Sequence, residues 1–337
     1  MSSGTPLDQL TPSDRHSSRL AGFREALASP ADLVVEVEHL QKRYGSNLAV
    51  EDVTLSVRRG EIFGIAGPNG AGKTTSVECI QGLRVPDGGT IRVLGMDPTR
   101  DAGAVRQRVG SQLQQSALPD RMRVWEALDL FASFVPGESN WPQLISDWGL
   151  TGKENSAFAE LSGGQQQRLF IALALINNPE VVFLDELTQG LDPAARRVAW
   201  RLIERARDHG TTIVLVTHFM DEAEALCDRL AIIDHGRVIA LDTPQGLIAT
   251  HGGPVTLSFS SGGNDLAWLA ELDVVDVVEQ RGELVSVNGT GPVVPLVSAA
   301  LVERGIIPDD MRVEQRTLEE TFLRLTGRTD ATGVNGS

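Results

Sequence analysis

Between Gly67 and Thr75 the chain reads Gly67-Pro68-Asn69-Gly70-Ala71-Gly72-Lys73-Thr74-Thr75, with glycines spaced around a lysine and two hydroxyls. Glycines let a backbone curl until successive N–H groups point inward, which makes a nest for an anion. A helix starting there adds the partial positive charge of its N-terminus. Lys73 brings a mobile full charge for the β- and γ-phosphates of a nucleotide, and the Thr74 hydroxyl can ligate Mg²⁺. The loop stands between an apolar run, Ile62–Ala66, and a helical pattern, Gly72–Leu83, which is the context phosphate binding requires.

A second chemical feature lies downstream. The apolar run Val181–Leu184 ends in Asp185-Glu186, and a carboxylate at the carboxyl end of a parallel strand faces the ligand crevice. Asp185 can hold Mg²⁺ through its water shell, and Glu186 can polarise an attacking water. Adjacent carboxylates leaving a strand are ordinary turn chemistry; coupled to a phosphate loop they point to phosphoryl transfer.

These groups need a scaffold. Strand patterns begin at Leu33 and recur at Val53–Val57, Ile62–Ala66, Thr90–Leu94, Val181–Leu184 and Thr212–Val216. The last two are continuously apolar, as central parallel strands covered on both faces are. Helical patterns at Gly72–Leu83, Val124–Phe134, Gln165–Asn177 and Ala194–Asp208 alternate with them. The alternation predicts an α/β domain with a largely parallel sheet. The helix-rich stretch from about 105 to 178 predicts a helical subdomain inserted into that sheet. Short β-rich pieces separated by glycine turns after Pro244 predict a small α+β appendage over 251–328, closed by an amphipathic helix at Leu318–Leu325. Residues 1–32 read as a flexible extension and 329–337 as a disordered tail.

Composition narrows the classes. The 337 residues are 41% hydrophobic and 22% charged, with a net charge of −15. That balance opposes a general affinity for nucleic acid and a polybasic membrane anchor. No apolar run reaches the roughly 18–20 residues a membrane span needs, and the N-terminal stretch lacks a hydrophobic signal core. Membrane contact is expected only through a partner. The two cysteines, Cys79 and Cys227, predict buried free thiols rather than a disulfide framework.

Leu161-Ser162-Gly163-Gly164-Gln165, taken with the phosphate loop and the carboxylate pair, resembles the ATP-binding subunits of ABC transporters over about residues 33–250. Ser162 and the Gly163-Gly164 backbone at a helix start make a second anion site. In that family it closes over the γ-phosphate bound by the other subunit. The resemblance implies that Tyr44 stacks on adenine and that Gln114 senses Mg²⁺ and the attacking water, Gln112 and Gln115 being alternative registers. It further implies that Asp192 communicates between two nucleotide sites and that His218 contacts the γ-phosphate. Leu187 stands where a proline usually follows the glutamate, and Gln189 where Ser or Thr is frequent; Leu187 predicts a loose Glu186 turn and slow turnover.

The expected molecule is therefore a P-loop ABC-type ATPase with ATP and Mg²⁺ as ligands. It pairs head to tail with a second nucleotide-binding subunit and sits peripherally at the cytoplasmic face of the membrane, on a separate permease. The ending Thr317–Arg328 resembles the tails of drug- and polysaccharide-export ATPases, such as the daunorubicin-resistance group. That implies export of a drug, antibiotic or lipid-like compound. An importer ATPase would come with a binding-protein partner and a different C-terminal domain. A soluble ABC ATPase would show tandem cassettes or a basic linker.

Overall fold

The computed structural model describes residues 32–112, 117–135, 141–314 and 317–328. The N-terminal extension expected over 1–32 (all but its last residue), the tail at 329–337, and Gln114 and Gln115 lie outside the described residues. In chain order the elements begin with β1 (Leu33–Tyr44), β2 (Asn47–Arg58), β3 (Ile62–Ala66), α1 (Lys73–Ile80), β4 (Gly88–Val93), α2 (Ala102–Arg108) and β5 (Val109–Gln112). Three helices follow, α3 (Val124–Ala132), α4 (Trp141–Asp147) and α5 (Gly163–Ala174). The sheet resumes with β6 (Val181–Asp185), α6 (Pro193–Asp208), β7 (Thr212–Thr217), α7 (Met220–Leu226), β8 (Arg229–Asp234) and β9 (Arg237–Asp242). The chain ends with α8 (Pro244–His251), β10 (Val255–Ser260), β11 (Val275–Arg281), β12 (Leu284–Gly289), α9 (Val293–Glu303), β13 (Arg312–Glu314) and α10 (Leu318–Leu325).

Nine strands form one sheet in the order β4-β1-β2-β9-β8-β3-β7-β6-β5. Strands β8, β3, β7, β6 and β5 run parallel. The other side is an antiparallel arm in which β1 pairs with both β2 and β4. β2 also pairs with β9 in parallel, so five of the sheet's eight strand pairs are parallel, and the expected parallel sheet carries an antiparallel arm and the β8–β9 hairpin. The arm's strands carry Glu36, Glu38, Glu51 and Asp52 between buried valines and leucines, and that interleaving shortened their sequence signal. Every residue of β3, β6 and β7 is buried, and alternate side chains feed two cores. Phe63, Ile65, Phe183 and Val214 pack with Val77 and Ile80 of α1. Ile62, Val182, Leu184 and Leu215 pack with α3, α5, α6 and α7 on the other face. Cys79 and Cys227 are both buried and free, and burial pushes the Cys79 thiol up to about 11.

The second sheet, β11-β12-β10-β13, has its own core, where Leu257, Phe259, Val285 and Val287 meet Val293, Val297 and Leu301 of α9. Helix α10 belongs elsewhere. It packs on α7 and α8, with Leu318 and Phe322 buried in the larger core. The small α+β unit is therefore inserted between two helices that clasp each other on the main domain.

Candidate functional site

The phosphate loop joins β3 to α1. Gly72 at the helix start has φ +98°, and a Cβ there would stand 2.4 Å from the Ala49 carbonyl oxygen, so only glycine fits. At Gly67 a Cβ would come within 2.1 Å of the Ile233 carbonyl oxygen. The loop is braced from behind by the β8–β9 hairpin, whose tip residues His235 and Gly236 both have positive φ, as a two-residue hairpin turn demands. The Gly236 N–H donates to the Ala71 carbonyl (2.9 Å), and the Gly236 carbonyl accepts from Glu51 and Asp52 (2.9 and 3.0 Å). Pro68 is buried within this cradle, while Asn69 and Gly70 are exposed at its lip.

Lys73 is buried, and its ammonium donates to the Gly67 and Pro68 carbonyls at 2.7 and 3.0 Å. Burial lowers its pKa, and the nearby Glu186 and Asp185 carboxylates hold it up. Asp185, at the end of β6, is 5% exposed. Burial first, then the Glu186 charge, pushes its carboxyl up to about 6, with Lys73 pulling it back. Glu186 follows with φ +49°. Its N–H donates to the Val216 carbonyl (2.9 Å), and its own carbonyl accepts from Gln189 (3.2 Å). Leu187 is fully buried. The turn is therefore held by two hydrogen bonds and a core side chain, Leu187. His218, just past β7, places Nδ1 3.1 Å from Glu186 Oε1.

One cavity of about 830 Å³ is lined by Tyr44, Asn69, Gly70, Gly72, Lys73, Thr74, Thr75, Glu186 and His218 together. Asn47, Leu48, Ala49, Glu51, His235 and Gly236, which had no site role from the sequence, are also in that lining, and Gln189, noted only as a departure from the family pattern, joins them. The His-Gly dipeptide between two apolar runs was the available signal for the hairpin tip. Tyr44 lies 41% exposed at the end of β1, with Lys42 and Arg84 each 5.5 Å from its ring centroid.

The segment Ser162–Gln165, expected from the sequence to be a second anion site, stands apart. Ser162 caps α5 in a reciprocal box, accepting from the Gln165 N–H while Gln165 Oε1 accepts from the Ser162 N–H at 2.9 Å. Ser162 and Gly163 are exposed, and neither they nor Gly164 and Gln165 line the cavity. Asp192 caps α6, its Oδ1 accepting from Ala194 and Ala195 at 2.9 Å each. A Cβ on Gly164 would meet that of Ala195 at 3.2 Å, so the two helix starts sit side by side.

A phosphate cradle with a buried lysine, a carboxylate pair at a strand end and a histidine on one carboxylate define a P-loop nucleotide-binding α/β protein. The ABC transporter family model matches residues 50–189. Nod factor export ATP-binding protein I of Ralstonia nicotianae is 39% identical over 88% of this chain and 94% of that protein. Daunorubicin resistance ATP-binding protein DrrA3 of Streptomyces coeruleorubidus is 37% identical over 88% of this chain and 97% of that protein. Among solved structures, an ATP-binding subunit of an ABC transporter superposes with a TM-score of 0.59 at 29% identity, covering 65% of this chain and 93% of that one. A dimeric ATP-binding cassette in a post-hydrolysis state, bound to ADP and Pi, gives a TM-score of 0.56 at 27% identity over 62% of this chain and 98% of that one. The chain belongs to the ABC transporter family as an ATP-binding subunit, and ATP hydrolysis is that family's activity.

Proposed function

We propose that this chain is the ATP-hydrolysing motor of an exporter, working as a head-to-tail pair beneath a separate permease. The observation that carries the reading is the separation, within one chain, of a complete phosphate cradle from an exposed second anion site at Ser162. A second copy supplies the missing half, so that each ATP lies between one copy's Lys73 loop and the other's Ser162 loop. The γ-phosphate then adds contacts made only in the closed pair and shifts the population toward closure.

Lys73 exchanges its two loop carbonyls for phosphate oxygens, and the cradle N–H groups hold the rest of the chain of phosphates. Tyr44 offers a face to the adenine. Glu186 accepts a proton from the attacking water, with His218 holding its carboxylate in place. The donor set suits Mg²⁺: the Asp185 carboxylate and Thr74 hydroxyl are hard oxygens. Asp185 and Thr74 would hold Mg²⁺, which when bound would supply positive charge against the phosphates. Asp192 and the Gln114 segment relay the state of one site to the other and to the permease.

Export follows from the relatives, which act in Nod factor export and daunorubicin resistance, and suggests a drug, antibiotic or lipid-like cargo. Among the described residues no helix is long and apolar enough to cross a membrane; peripheral attachment at the cytoplasmic face through the permease is part of the same proposal. With MgATP, Glu186→Gln is expected to elute as a dimer and to lose turnover by at least about a hundredfold. Adding Ser162→Arg should return it to monomer. Wild-type hydrolysis by Glu186→Gln would remove the assigned base, and an ATP-dependent dimer with Arg at 162 would remove the shared site.

A further inference from the structure

Glu222 is a carboxylate that this chemistry leaves unused, and it is fully buried. It lies in the first turn of α7, just beyond His218. Trp200, on α6, donates its indole N–H to Glu222 Oε1 at 3.2 Å. Burial pushes the Glu222 carboxyl up, while the polar groups of Thr217, Thr188 and Trp200 around it pull it back. Thr217 is the last residue of β7, and its oxygen already accepts the Phe219 N–H at 3.0 Å, which leaves its proton for the carboxyl. Thr188 stands just past Glu186. Its hydroxyl oxygen and Glu222 Oε2 are both sealed from solvent without a well-formed hydrogen bond, so this corner has bonding capacity to spare.

A second tie runs alongside the first. Arg196, one turn before Trp200 on α6, lies 4.5 Å over the Phe219 ring and pairs with Asp221 at 2.9 Å. The Phe219 ring packs 4.1 Å from the His218 ring. Helix α6 begins at its cap, Asp192. The helix headed by Asp192 is thus joined to the segment that follows His218 by the Trp200–Glu222 hydrogen bond and the Arg196–Asp221 pair, with Thr188 of the Glu186 turn and Thr217 of the β7 end beside the same carboxyl.

We propose that Glu222 is a positioning residue, tying the Glu186 turn, the His218 strand end and the Asp192 helix into one unit. Seating of the second subunit against Asp192 then sets the Glu186–His218 pair. The proposal rests on the reading of Glu186 and His218 as the hydrolytic pair. Its energetic basis is that removing the acceptor strands the Trp200 indole N–H and sets an apolar side chain against the Thr188 and Thr217 hydroxyls, and a buried donor without a partner reorganises its surroundings.

The test uses the purified full chain and steady-state ATP hydrolysis. Glu222→Leu, close in volume, removes the acceptor, whereas Glu222→Gln keeps one oxygen for Trp200. Expected is a kcat at least about tenfold lower for Glu222→Leu with KM for ATP within about twofold, and recovery to within about threefold by Glu222→Gln. Should Glu222→Leu fail to fold, Trp200→Phe keeps the ring, removes the donor and should show the same split. A wild-type kcat, or kcat falling only in proportion to the folded fraction, overturns the proposal. Glu186→Gln measured alongside separates the two failures. If it still turns over, the hydrolytic pair is wrong; if it is inactive while Glu222→Leu is normal, only the Glu222 role falls.

Discussion

Lys73 and Asp185 meet the same buried environment and answer it in opposite directions. Burial lowers the lysine and raises the carboxyl, and each partly rescues the other's charge. Folding raises Asp185 from 3.8 to about 6, so the folded chain holds that proton more tightly than the unfolded one. Above pH 6 its ionisation costs stability, roughly 3 kcal/mol for a shift of this size. Below about pH 4 both states are protonated and the cost disappears. Asp185→Asn should therefore raise the thermal midpoint of the nucleotide-free protein at pH 8, with the gain shrinking through pH 6 and vanishing near pH 4. The same variant should lose Mg²⁺-dependent turnover. Calorimetry in EDTA across that range checks the first expectation, and a lower midpoint at pH 8 would mean that Lys73 outweighs burial. The residue types at this site were plain in the sequence because each has its own chemistry. Glu222 was not, since an acidic residue on a helix reads as a solvated face until the packing around it is known.

At the scale of elements, the loop that grips phosphate is held in shape from outside itself. The tip of the β8–β9 hairpin, at Gly236, bonds to Ala71 and to the β2 backbone, while Gly72 passes within contact of Ala49. Gly72→Ala forces a Cβ onto a carbonyl oxygen at positive φ, so nucleotide binding should weaken by more than about tenfold while the fold persists. Titration with MgATP, set beside the circular dichroism spectrum, measures both halves of that statement. Leu187 makes the complementary case. It is fully buried under the Glu186 turn, and Leu187→Ala should destabilise the protein by about 2–5 kcal/mol, read by denaturant unfolding. The strands β3, β6 and β7 were legible from unbroken apolar runs, and α1 from its place after the loop. The antiparallel arm was only partly legible, because its half-exposed strands mix charges into the pattern. The hairpin brace depends on contacts between Ala71 and Gly236 that no local pattern encodes.

Over the whole molecule, the chain beyond Asp242 is anchored at both ends of its inserted unit. Helix α8 leaves the main sheet, and α10 returns to pack on α7 and α8, its Thr317 cap forming a reciprocal box with Glu320. The amphipathic character of α10 was visible in sequence; the surface it covers was not, because periodicity shows that a face is buried without showing against what. Leu318 has no exposed surface and shares a core with Leu226, Leu247 and Ile232. Leu318→Ala should therefore destabilise the ATPase domain by about 2–4 kcal/mol, although the residue follows the inserted sheet in the chain. Ile307 is 78% exposed beside that sheet, and Ile307→Ala should stay within about 0.5 kcal/mol of wild type. Hydrogen exchange on β3 and β7 distinguishes the outcomes. If α10 is part of the ATPase core, Leu318→Ala speeds exchange in those central strands. If it merely closes off the appended unit, the loss of protection stays within β10, β12 and α9, and the nucleotide site is indifferent to it.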